Sequence, residues 1–159
     1  MPTPEQVLAE WYERVVITQR AHYLSADHFG GRKYWLGIPA VILSTLVGTS
    51  VFVAVQKQPE FWLQITVGIA SVTAAVLASL QTFLGYSERA EKHRLAGAKY
   101  GAMGRELEQL LAATSPPLQE VISEVRKRLD ALAEESPNNP LPIFRRARES
   151  SVEYTKRGA

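Results

Sequence analysis

The chain has 159 residues, 46% of them hydrophobic, no cysteine and a formal net charge of +2. Without cysteine there is no disulfide scaffold, no cysteine-held zinc and no thiol nucleophile. With 18 basic residues interleaved among 16 acidic ones, there is no one-signed field of the kind that holds nucleic acid, and nucleic acid is not expected as a partner. The averages conceal a segregation of charge, because residues 34–55 and 61–87 contain no Asp, Glu, Lys or Arg. A hydrocarbon core about 30 Å thick is crossed by about 20 helical residues, so each run is long enough to span it. These patterns predict an all-α membrane protein: a two-transmembrane helical hairpin with a cytoplasmic helical bundle.

Residues 1–33 are expected to form an amphipathic N-terminal helix and a hinge. Thr3 is placed to cap, Pro4 is tolerated in a first turn, and Leu8, Trp11, Tyr12 and Val15 recur on one face, which continues as Gln19, His22, Tyr23 and Ala26. Gly30 and Gly31 are expected to interrupt this helix before Arg32 and Lys33, whose long side chains can reach lipid headgroups. Acidic Glu5, Glu10, Glu13 and Asp27 ahead of the first apolar run are the wrong layout for a cleavable signal peptide, so both apolar helices are expected to persist.

Residues 34–55 form the first expected transmembrane helix, with Tyr34 and Trp35 at the interfacial belt and Pro39 kinking its first turns. Residues 56–60 are then a short external loop, and residues 61–87 the second transmembrane helix, opening on Phe61 and Trp62. Arg14, Arg20, Arg32 and Lys33 precede the first span and Arg89, Lys92, Arg94, Lys99 and Arg105 follow the second, against Lys57 alone in the loop. Basic residues are retained inside, so both termini are expected to be cytoplasmic.

Residues 88–135 read as cytoplasmic helices. No breaker is apparent after the second span, so one helix is expected to run on past Gly85 to about Thr114. Tyr86, Ala90, His93, Gly97, Tyr100, Gly104, Leu107 and Leu111 advance along it in steps of three and four, a heptad-like stripe expected to face another helix. Within it His93, Tyr100, Leu107 and Leu111 are candidate assembly residues. Pro116 and Pro117 end this helix, and Leu118, Ile122, Val125, Leu129 and Leu132 repeat the rhythm in the next. Residues 136–159, punctuated by Pro137, Pro140 and Pro142, are expected to be a mobile tail. Its Arg145, Arg146 and Arg148 are either a solvated cluster or attracted to anionic lipid or a phosphate ligand.

No catalytic pattern emerges. The chain has no glycine-rich phosphate loop, no HExxH and no nucleophile elbow, and His22, His28 and His93 lack a metal-ligand spacing. No enzyme activity, cofactor or metal is expected. His93 with Glu88 or Glu91 is read as ordinary helix-surface or interhelix contact. The spans hold no ionisable group of the kind pumps and proton relays need. They hold small and hydroxyl residues instead: Thr45, Gly48 and Thr49 in the first, and in the second Gly68, Ser71, Ala75, Ser79 and Thr82, which share one face. Such a face either packs closely against a helix or lines a pore that only an oligomer could enclose; spacing alone favours packing.

The order of these parts resembles a known family. Arg20, Tyr23 and Leu24 precede the first span, Ile38-Pro39 opens it, and Leu46-Val47-Gly48-Thr49 follows. The second helix runs through Leu80-Gln81-Thr82-Phe83-Leu84, Tyr86, Glu88, Ala90-Glu91 and His93 to Tyr100 and Arg105-Glu106-Leu107. This combination, over roughly residues 8–135, is similar to the SLATT family, two-transmembrane effector domains associated with SMODS nucleotidyltransferases and SLOG proteins in prokaryotic conflict systems. The resemblance implies an antiphage effector that a nucleotide second messenger or a sensor protein switches on, and that oligomerises and permeabilises the inner membrane. The expected partners are a homo-oligomer, the lipid bilayer and a nucleotide-signalling sensor or synthase. The rival expectation is a membrane-anchored helical scaffold that recruits a separate effector.

Overall fold

A computed structural model describes residues 3–56, 60–113 and 119–158, with side chains for all of these except 51–56 and 152–158. Among the described residues the chain is all-helical: α1 (Pro4–Gln56), α2 (Phe61–Leu84), α3 (Tyr86–Leu111), α4 (Gln119–Glu135) and α5 (Leu141–Gly158). Residues 57–59 of the expected loop, and Thr114, Pro116, Pro117 and Leu118, lie outside the described residues. The helices group into two compact units, Met1–His28 with Arg89–Ala159, and Phe29–Glu88.

In the first unit α1 begins with a reciprocal cap. The Thr3 hydroxyl accepts from the Gln6 N–H at 3.3 Å while the Gln6 side chain accepts from the Thr3 N–H at 2.9 Å, which satisfies donors that a helix start leaves open. The core is Leu8 and Val15 of α1, Tyr100, Met103 and Leu107 of α3, and Val125 and Leu132 of α4, with Trp11, Tyr12, Leu111 and Leu129 packed on its edge. Helices α1 and α3 approach closely because α3 offers glycines. A methyl group at Gly97 would lie 3.2 Å from the Tyr23 ring, and one at Gly101 would lie 2.7 Å from the Gln19 amide. Exposed ion pairs Lys99–Glu135 and Arg128–Glu106 link α3 to α4; at such exposure they fix register more than they stabilise.

In the second unit the Lys33–Ser87 hydrogen bond and the close approach of Gly37 to the Gln81 side chain run in opposite sequence directions, so α1 and α2 lie antiparallel there. What this pair buries is small: Ala40 and Ala74. One helical stretch, Phe61–Leu111, contains a segment long and apolar enough to cross a membrane. Within it α2 buries only Ala74.

Three sequence expectations change. Gly30 and Gly31 do not interrupt α1, which continues through them and through Pro39; glycine lowers helix propensity by about 1 kcal/mol but can hold helical dihedrals, and here neither is needed for a turn. The break occurs instead at Gly85, where φ is 56° and ψ 31°. A left-handed residue closes α2 there, a conformation glycine adopts without the Cβ clash of other residues. Finally, the expected tail is helical from Leu141, and Ala147 within it is fully buried. Pro140 and Pro142 sit in or beside the first turn, where a missing N–H costs nothing, and the Pro140 carbonyl accepts from the Ile143 and Phe144 N–H groups.

Candidate functional site

The apolar surface of the second unit is turned outward. Trp35 is 83% exposed and Phe83 86%, and Val41, Ile42, Leu46, Ile69, Val72 and Val76 are exposed as well. The helix pair uses Ala70, Ser71, Ala74, Leu77 and Gln81 as its own partly or fully buried face. The small face expected from spacing is a different one: Gly68, Ala75, Ser79 and Thr82 are exposed and only Ser71 is half-buried, while Thr45, Gly48 and Thr49 of α1 are also exposed. A methyl group added at Gly48 or Gly68 would meet nothing within 4 Å. Apart from Ser71, the small residues on this face are therefore not needed for packing inside the chain.

Several hydroxyls on these helices are satisfied locally. Thr45 donates to the Val41 carbonyl at 2.9 Å, Thr49 to Thr45 at 3.0 Å, Ser71 to Val67 at 2.9 Å, Thr73 to Ile69 at 2.8 Å and Thr82 to Ala78 at 3.2 Å. In an apolar solvent an unbonded hydroxyl is costly, and this back-bonding removes that cost while leaving each oxygen able to accept a further hydrogen bond.

The expected stripe of α3 faces inward within the first unit. His93, Tyr100 and Leu107 are buried and Leu111 is half-buried, so the seam expected between helices is filled by α1 and α4 of the same chain. At its centre His22 Nδ1 and His93 Nδ1 lie 3.0 Å apart, both buried. One imidazole must donate and the other accept, so at least one ring is neutral. His22 also stacks on Tyr100 at 5.3 Å. Burial, then the neighbouring His93, pushes His22 down to about 4, and burial lowers His93 as well. Burial raises the Tyr100 phenol, opposed by its hydrogen bond with Ser136. Fully buried Ser25 donates to the Asn139 side chain at 2.9 Å, so the polar layer reaches the segment between α4 and α5.

Both histidines stood on stripes expected to meet another helix, His22 on one less apolar than a deep core, but no spacing could pair positions 22 and 93. Asn139 carried no signal beyond its place among prolines. Arg145, Arg146 and Arg148 are exposed on α5, and Arg148 lines a cavity of about 570 Å³ with Phe144, Ile17, Arg14, Glu10 and Glu13. Acidic residues therefore balance the basic ones there. Among the described residues no three His, Cys, Asp or Glu side chains converge as a metal site.

No curated protein and no solved structure matches the chain. A family profile does, over residues 5–140, a stretch that includes both apolar runs, the polar layer and α4. The outward apolar surface and the spanning-length helix agree with the two-transmembrane character of that family. On this match the chain belongs to the SMODS and SLOG-associating 2TM effector domain family 4.

Proposed function

We propose that this effector domain is a regulated pore-forming protein of a prokaryotic antiphage or conflict system. Residues 34–55 and 61–87 cross the inner membrane as a hairpin with both termini cytoplasmic. Copies assemble through the small face of the second span, and an activating nucleotide second messenger or sensor protein opens the path. The family is of effector type and is not a known enzyme family, which is consistent with action by assembly. The observation that carries the reading is the outward small and hydroxyl face. Gly68, Ala75, Ser79 and Thr82 are exposed, packing in the chain does not use them, and the Thr82 hydroxyl is pre-bonded to its own helix. Two helices cannot enclose a lumen, so such a face has work only between copies.

The test is leakage of a small dye from liposomes containing the purified protein, measured with its oligomeric state. Ser79→Leu and Ala75→Leu are expected to reduce leakage in protein that keeps the native oligomer, because an apolar constriction stops conduction by dewetting. Ala75→Ser is expected to preserve or raise it. Activated wild-type protein that gives no leakage would reject the pore and leave a membrane-anchored scaffold.

A further inference from the structure

A cavity of about 450 Å³ opens in the second unit beside the left-handed Gly85, lined by Lys33, Gln81, Thr82, Tyr86, Ser87 and Glu88. Its position in the sequence is distinctive. Lys33 is the last charge before the first charge-free run and Glu88 the first after the second, so the cavity lies where apolar helix gives way to charge. Lys33 is half-buried and its Nζ donates to the Ser87 hydroxyl at 3.2 Å. The Arg32 guanidinium lies 5.9 Å from the centroid of the Tyr86 ring, within reach of a cation–π contact. Lys33 is thus held in the cavity wall by the neutral Ser87 hydroxyl, and exposed Arg32 beside it lies against the ring of Tyr86, itself a lining residue; neither contact cancels the charge. The apolar side is equally marked, since Ala78 forms part of the wall and exposed Phe83 lies next to Thr82 in sequence.

We infer that this cavity is a binding site for an anionic glycerophospholipid, with the phosphate against Lys33 and Arg32 and the glycerol beside Gln81 and Ser87. The acyl chains run along the outward apolar surface of α1 and α2. A free phosphate would use only the cations; the apolar wall and the neighbouring exposed Phe83 fit a ligand with a hydrocarbon tail. Glu88 at the rim adds one negative charge against two positive ones, which leaves the site cationic and selects for the phosphate and not for a cationic headgroup. The inference rests on the proposed membrane insertion of these two helices.

The test uses the full chain in nanodiscs of equal phosphatidylglycerol and phosphatidylcholine, extracted gently and weighed by native mass spectrometry. Wild type is expected to retain phosphatidylglycerol in preference to phosphatidylcholine, and Lys33→Gln and Arg32→Gln to reduce that preference about fivefold each, the factor expected of one basic residue at an anionic surface. Lys33→Arg is expected to restore it, and Lys127→Gln, on α4, to leave it unchanged. Excess glycerol 1-phosphate is expected not to displace the lipid; displacement would assign the cavity to free phosphates and overturn the lipid. Protein that withstands a carbonate wash of its membranes yet shows no preference, or one insensitive to position 33, overturns the site alone. Protein released by the wash overturns the membrane reading and the site with it.

Discussion

The two units of this chain use opposite rules for the same residue types. In the first unit large apolar side chains such as Leu8, Leu107 and Val125 are inside, and the charged residues of α3 and α4 are outside. In the second unit what is inside is alanine, Ala40 and Ala74, and tryptophan, phenylalanine and most of the valine and isoleucine are outside. Several glycines divide in the same way: Gly97 and Gly101 let α1 come close, whereas Gly48 and Gly68 have open space around them, with Gly37 against the Gln81 amide as the exception. A helix folded in water is organised by burying its large residues, while one folded in lipid gains nothing by hiding them and packs through its small ones. The second unit's outward residues are therefore in their proper solvent only when that solvent is hydrocarbon.

This contrast can be broken most directly by truncating one large side chain in each unit. Leu107 is fully buried and Ile69 is 64% exposed. Leu107→Ala is expected to cost about 2 to 5 kcal/mol. Ile69→Ala in a bilayer is expected to cost about 0.5 kcal/mol, the difference between two residues facing lipid. Urea titrations in nanodiscs, followed through Trp11 with Trp35 and Trp62 replaced by Phe, measure the first; a thermal shift of the whole chain measures the second. Equal losses would mean that the outer face of α2 is packed against protein. Leu107→Asp, an attractive way to disturb a seam between subunits, would report folding of the first unit instead, because its position is internal to one chain.

The same comparison indicates what could be read from sequence. The inward face of α3 was legible because its apolar and small residues recur every three or four positions, and Ala90, His93, Gly97, Tyr100, Gly104 and Leu107 are buried. The identity of the helix it meets was not, since periodicity names a face without naming its partner. The charge-free runs were legible by composition alone. The turn at Gly85 was obscured by the strong apolar pattern on its N-terminal side, although a glycine at the end of such a run is the ordinary signal of a helix end. Helix α5 was obscured by its prolines, which break a helix in its interior but suit its first turn. On the proposed site, the small face of α2 was legible as a set, but its separation from the face α2 uses against α1 needed coordinates, because the two faces are adjacent on one helix and share Ser71.

A second way to separate the units is acid, because the first has a buried imidazole pair and the second has no histidine. His22 titrates near 4 in the folded protein, against an ordinary value of 6.5. Between those values the unfolded chain binds more protons, so folding stability is complete above pH 6.5 and is lost progressively as pH falls toward 4. His93, lowered in the same direction, adds to the loss. Glu135, held below its usual range by Lys99, also loses stabilisation on acidification, but only below pH 4.5. At pH 5 the histidine effect is about 2 kcal/mol for the first unit. His22→Gln keeps a hydrogen-bonding group opposite His93 without titrating, and urea midpoints at pH 7.5 and 5.0 should differ much less in that variant than in wild type. An unchanged pH dependence would show that the pair is not the acid-sensitive element.

The smallest effects sharpen the comparison at the glycines within α1 and between α2 and α3. Gly30 and Gly31 are helical, and a methyl group at either would meet nothing within 4 Å. Replacing either by alanine removes the backbone entropy that glycine loses on folding without creating a clash, so each change should stabilise the helix by up to about 1 kcal/mol. Gly85 has the same open space but a φ of +56°, so Gly85→Ala should destabilise by about 1 kcal/mol, the strain of a Cβ in the left-handed region. Space is equal at the three positions and only the dihedral differs. Hydrogen exchange of the amides of residues 28–34 and of 84–90 should therefore slow in the Gly30→Ala and Gly31→Ala proteins and quicken in Gly85→Ala. If Gly30→Ala instead quickened exchange, the glycine pair would be a working hinge, and the continuous α1 would be one of two conformations between which the protein moves.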